Sequence, residues 1–253
     1  MPMIGIVGGV GPYAGLDLFR KVLDSTVARA DQEHVDLVLV SMPGSIVDRT
    51  EYLEGRIPEN PGPALARVIL KLEAAGAKVA GIPCNTAHVP EIFDAVMEVL
   101  GREGSSIRVL HMIRETIAFI RFAFPGAKKI GVLSTTGTYR AGIYRDALEK
   151  AGFGVARPSP AMQEEWIHTA IYHPEYGIKS QSDPVRAEAI AHLEKGLAYL
   201  KEQGAEAVIL GCTEISLAFP RTEIMGMSAI DPTRILARAL LREAFPGRLK
   251  TDP

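Results

Sequence analysis

Cys84 and Cys212 are the only cysteines among 253 residues. Each follows an apolar run, in "KVAGIPCNTAH" and "EAVILGCTEIS", and each has a threonine within two positions. Two thiols facing each other across a small cleft suit a reaction in which a proton leaves one face of a carbon and another arrives on the opposite face. That is racemisation or epimerisation, with a thiolate as base, a thiol as acid, and the roles exchanged in the reverse direction. A free cysteine titrates near ~8.5, and a helix N-terminus lowers that value. The segments "NTAHVPEIFDAV" and "TEISLAF" behind the two cysteines read as helix starts, whose N–H groups, with Asn85, Thr86 and Thr213, suit a substrate carboxylate. Sulfurs that flank a reacting carbon stand about 6 to 7 Å apart, whereas a disulfide needs about 2 Å. The competing reading is a pair of small buried apolar residues; it leaves their repeated placement unexplained.

The elements that must position these thiols are legible as short Val, Ile and Leu-rich runs at 3–8, 35–42, 77–83, 106–111, 129–134, 205–211 and 224–230. They predict buried strands. Segments with helical spacing lie between most of them, such as Leu16-Phe19-Leu23-Val27 and Ala187-Ile190-Leu193-Leu197-Leu200. The class is α/β, with mostly parallel sheets and helices on both faces.

The chain also repeats itself. "IGIVGGVGPYAG" from Ile4 returns as "IGVLSTTGTYRAG" from Ile130, with Gly11 and Tyr13 recurring as Gly137 and Tyr139. Gly76-Ala77 precedes Cys84 at the same spacing as Gly204-Ala205 precedes Cys212. Such a duplication predicts two similar Rossmann-like halves related by a pseudo-twofold, each carrying one cysteine at the carboxyl end of a strand. Ligands of open α/β sheets bind beyond those ends, which places the expected site in the cleft between the halves. The boundary is expected near 112–127, at the Pro-Gly break of "FAFPGAKK".

Composition narrows the partners. With 47% hydrophobic residues, 23% charged residues and a formal net charge of -2, nothing indicates a charge-driven nucleic-acid or membrane partner. No apolar run approaches the roughly 20 residues that would span a bilayer. The first residues enter an apolar strand without a basic and apolar leader, so a cytoplasmic location is expected, where two cysteines are thiols rather than a disulfide.

"GIPCNTAH" and "ILGCTEI", together with "IGIVGGVGP" and "DRT", resemble the aspartate/glutamate racemases that work without pyridoxal phosphate, over nearly the whole chain. The form GCTE resembles the aspartate-racemase branch, since glutamate racemases usually have histidine where Glu214 stands. The resemblance implies that Cys84 and Cys212 are the acid/base pair and that no cofactor is used. It implies a first domain of 1–112 plus 222–253, with the last strand and helix returning to it, and a second domain of 113–221. Arg49 corresponds to the arginine that holds the distal carboxylate of a small dicarboxylic amino acid, a task suited to a planar guanidinium. Lys179 resembles the lysine near that carboxylate, and Asn85, Thr86, Thr135, Thr136 and Thr138 match positions that bind the amino acid. Val10, where methionine is common, lines the expected pocket and bears on substrate choice. A homodimer is implied as well. Aspartate is the first expected substrate and glutamate the second.

Two rival enzymatic signals are weaker. Gly9-x-Gly11-x-x-Ala14 loosely fits a dinucleotide turn, but Pro12 interrupts it and the second strand ends at Ser41 rather than an acidic residue. His88 lies four residues after Cys84, a start for a metal site that lacks further ligands; a helix-surface histidine is the expectation, and no metal is expected. The alternatives that keep the scaffold are a maleate-isomerase-like or related reaction on a small carboxylate. The alternative from another class is a catalytically silent amino-acid-binding protein.

Overall fold

The computed structural model describes residues 2–251. The chain divides into two compact units, one running up to Glu115 and resuming at Thr233, the other spanning Thr116–Pro232. Among the described residues no helix is long and apolar enough to cross a membrane.

In the first unit β1 (Ile4–Gly8), β2 (Leu37–Ser41), β3 (Val79–Gly81) and β4 (Arg108–Leu110) form a parallel sheet in the order β2-β1-β3-β4. Parallel neighbours require crossovers, supplied by the helices Pro12–Ser25, Gly62–Ala74 and Pro90–Arg102. Successive strand residues point to opposite faces: Ile4 and Ile6 join Leu18 and Val22, while Val7 joins Leu65, Ile69 and Leu72. Each such fully buried aliphatic side chain contributes roughly 1.5–3 kcal/mol relative to exposure. The turn after β1 uses Gly9 and Gly11 at φ 86° and 115°. A Cβ on Gly9 would sit 2.7 Å from the backbone nitrogen of Pro43, so the glycine permits the turn to close against the segment leaving β2.

The second unit has five strands, β5 (Lys129–Ser134), β6 (Gly154–Ala156), β7 (Ala207–Gly211), β8 (Glu223–Ile224) and β9 (Met227–Ile230), in the order β6-β5-β7-β9-β8. All pairings are parallel except β8 with β9. Leu133, Val208 and Leu210 pack with Leu193, Leu197 and Leu200 of the helix Ala187–Glu202. With β8 set aside, both sheets have one topology: second strand outermost, then first, third and fourth. Cys84 follows the third strand of one sheet and Cys212 the third strand of the other.

Two segments depart from the sequence reading. The run 224–230, read as one strand, folds back at Met225 and Gly226, φ 53° and 76°, which is the backbone a two-residue hairpin demands. The terminal strand and helix, expected together in the first domain, also separate. β9 hydrogen-bonds to β7 in register Ala207↔Ser228 to Ile209↔Ile230, because it is the fourth strand of the second sheet, as β4 is of the first. The helix Pro232–Ala244 does belong, from Thr233, to the first unit, where Leu236 and Leu240 join the cluster of Ile4, Ile6 and Val79. The helix Met112–Ala123, which follows β4, is correspondingly part of the second unit from Thr116.

Candidate functional site

Cys84 lies three residues beyond β3 in extended conformation and is buried, as are Asn85 and Thr86. It precedes a short 3-10 turn, Asn85–His88, and the α-helix starts only at Pro90. Proline is tolerated in the first turn of a helix and breaks it further in, so Pro90 sets a later start than the expected one. His88 is 1% exposed rather than on a helix surface. Its Nδ1 lies 2.9 Å from the Cys84 carbonyl, to which it must donate. Its ring packs on Phe93 at 5.3 Å and on His111 at 4.8 Å between centroids. Burial first, and His111 second, bring the His88 imidazole down to about 3, while burial and the nearby Arg114 bring His111 down to about 4. A neutral imidazole therefore fixes the turn that carries the thiol. Among the described residues no group of three or more His, Cys, Asp or Glu could hold a metal.

Arg49 opens the helix Arg49–Leu53, whose N-cap Asp48 accepts from the N–H groups of Thr50 and Glu51 at 2.8 and 3.1 Å. Arg49 is 6% exposed, and its guanidinium donates through Nη2 to the carbonyl of Val10 at 3.1 Å and through Nη1 to that of Val47 at 3.2 Å. Arg49 and Val10 are thus brought together within the first unit. The contact goes through the backbone of Val10, whose side chain is part of the core.

In the second unit Thr135 caps the helix Thr136–Ala141 and bonds the Thr138 hydroxyl at 3.1 Å. The Thr136 hydroxyl lies 3.0 Å from Nδ1 of His168. Buried Gln163 donates through Nε2 to the Ser134 carbonyl at 3.0 Å. Gln163–His168 form a π-helical stretch, an irregularity that recurs at functional sites. Nothing in the spacing around Gln163 marks a widened turn, so the sequence carries no sign of it, whereas His168, near Trp166 and Tyr172, reads as a residue bordering the cleft or as a partly exposed structural one.

Cys212 follows β7 immediately and caps the short helix Thr213–Ala218. Its Sγ donates to Oε2 of Glu214 at 2.9 Å, and the Thr213 hydroxyl donates to the same oxygen at 3.1 Å. Nζ of Lys179 lies 3.3 Å from the other oxygen, Oε1, and 5.4 Å from the centroid of the Tyr172 ring. The carboxylate of Glu214 thereby joins three of the expected residues, Lys179, Cys212 and Thr213, although Glu214 itself served only to mark a branch of the family. The helix start was expected to lower the thiol. Burial first and the Glu214 charge second push it well above its ordinary value, with Lys179 acting in the opposite direction. A thiolate and a carboxylate at 2.9 Å would repel by on the order of 5 kcal/mol at an effective dielectric of ~20, more than one turn of helix supplies. Both cysteines are free thiols.

A family model described as Asp/Glu/hydantoin racemase matches residues 7–240. A broad-specificity amino-acid racemase of Bacillus subtilis is 26% identical over 94% of this chain and 96% of its own length. A glutamate racemase of Corynebacterium glutamicum is 28% identical over 74% of this chain and 63% of its own. The structure of an aspartate racemase from Picrophilus torridus superimposes with a TM-score of 0.80 at 28% identity, covering 99% of this chain and 96% of that one.

Proposed function

The chain belongs to the Asp/Glu/hydantoin racemase family, and from that premise we propose that it interconverts the enantiomers of an acidic amino acid, aspartate first and glutamate second, by two-base thiol chemistry. The observation that carries this reading is the placement of Cys84 and Cys212 after the same strand of two sheets with one topology. One sulfur, as thiolate, takes the α-proton, and the other, as thiol, returns a proton to the opposite face. The chemistry requires both sulfurs to address one α-carbon. Proton removal and return are both assigned to the chain, and the reaction needs no cofactor.

Substrate binding is assigned by charge and donor type. Arg49 and Lys179 are the cations for the distal carboxylate. Asn85, Thr86 and Thr213 supply donors for the α-carboxylate, Thr135, Thr136 and Thr138 border the amino acid, and Val10 shapes the wall. The net charge of -2 suits a small substrate met locally rather than a nucleic acid. A cytoplasmic homodimer is the state in which we expect it to act.

The test is incubation with L-aspartate or L-glutamate in D2O without added cofactor. Deuterium should enter at Cα as the other enantiomer accumulates. Ligand binding without exchange for every acidic amino acid tried would replace the racemase with a binding protein.

A further inference from the structure

We propose that Glu214 is a third catalytic residue, one that holds the proton on Cys212, so that the unliganded protein carries Cys212 as the acid and turnover begins with Cys84 as the base. This rests on the two-thiol reading and assigns an order to it. Three donors converge on one buried carboxylate: the Lys179 ammonium on Oε1, and the Cys212 thiol and Thr213 hydroxyl on Oε2. A carboxylate that accepts from an ammonium and a hydroxyl is ionised, and a sulfur 2.9 Å from it must then be the donor. The geometry thus favours the proton on the sulfur, and the upward displacement of the thiol by burial and by Glu214 agrees with it.

The charged groups that face the sulfur are Glu214 and Lys179. Tyr172 lies beneath the Lys179 ammonium with His168 stacked on it, and Asp231 accepts from Ser216 further along the same helix. In turnover the substrate C–H bond breaks to form the S–H of Cys84, and the S–H of Cys212 breaks as the new C–H forms. Cys212 is left anionic beside Glu214. Its S–H is restored by a proton from water, and Cys84 loses the proton it gained to water, which returns the resting form with no net change in protons. A distal carboxylate on the substrate competes with Glu214 for Lys179, so dicarboxylic substrates perturb the same carboxylate that governs the acid.

The test uses C84S protein, in which Cys212 is the sole sulfur of its kind, and reads no turnover. Infrared spectroscopy at neutral pH should show an S–H stretch shifted and broadened by donation to a carboxylate. A missing S–H band, or one at the position of an unbonded thiol, overturns the proposal. In C84S/E214Q the band should move toward that of a neutral acceptor, and the pH midpoint of thiolate absorbance should fall by about one unit, roughly a tenfold rise in thiolate fraction at fixed pH. An unmoved band and midpoint in folded C84S/E214Q also overturn it. If that double variant does not fold, the C84S spectrum alone decides. Failure of deuterium exchange in the unmodified protein would instead remove the racemase reading and leave these spectra unchanged.

Discussion

Nδ1 of His88 supports the carbonyl of Cys84 across 2.9 Å, from within the same turn of chain. That imidazole, neutral in the folded protein down to about 3, takes a proton near ~6.5 once the chain unfolds. Between those values the unfolded chain binds a proton that the folded one refuses, so the contribution is fully present above about pH 6.5 and is lost as pH falls toward about 3. His111, down to about 4, acts in the same direction. Urea unfolding should lose up to about 1.4 kcal/mol per pH unit through His88 across this window. H88N keeps an amide donor without the titration and should flatten the slope by about one proton. Equal slopes would mean that His88 is not held neutral.

Single-sulfur variants should separate the two faces of the α-carbon. C84S and C212S are each expected to lose interconversion by at least ~100-fold, the scale of a lost acid or base, while each retains slow α-hydrogen exchange with one enantiomer. The two variants should favour opposite enantiomers. Exchange of the same enantiomer by both would place the sulfurs on one face.

Arg49 is bound to two backbone carbonyls, so its removal should do more than weaken a charge contact. R49A is expected to raise KM for the acidic substrate about 30-fold, or about 2 kcal/mol, with a loss of kcat as the Val10 turn relaxes. R49K keeps the charge but not the planar fork that spans Val10 and Val47, and should recover only part of the affinity. An unchanged preference for acidic over neutral amino acids in R49A would take the residue out of the site.

Gly81 reports on how the C-terminal helix is seated. A Cβ there would approach Leu240 Cδ1 to 2.9 Å and Leu236 Cδ2 to 3.1 Å. G81A should cost about 1–3 kcal/mol by overpacking, and distinctly less in an L240A background, a coupling that chemical denaturation of the four proteins measures. Additive losses would mean the helix does not lie on β3.

The chemistry was written in neighbouring letters where neighbours in sequence decide it, and hidden where distant ones do. The repeated Ile-Gly, Gly-Ala and Cys positions foretell two sheets of one strand order, because a duplicated pattern of buried runs folds twice. The separation of β9 from the helix behind it follows from the same duplication. Met225 conceals the hairpin, since a non-glycine residue at φ 53° carries no turn signature. The protonation of Cys212 is concealed for another reason. Lys179 is brought to Glu214 from 35 residues upstream, and a helix start read locally says nothing of that charge. Gln163 and His168 meet the threonines of the β5 loop only because a π-helical turn rotates them there.

The helix Pro232–Ala244 covers β1 and β3 although it is encoded after the entire second sheet. On the ribosome Ile4, Ile6 and Val79 consequently lack Leu236 and Leu240 until the whole second sheet has been made. A gene fragment cut at the point of duplication would specify an apolar surface without its lid.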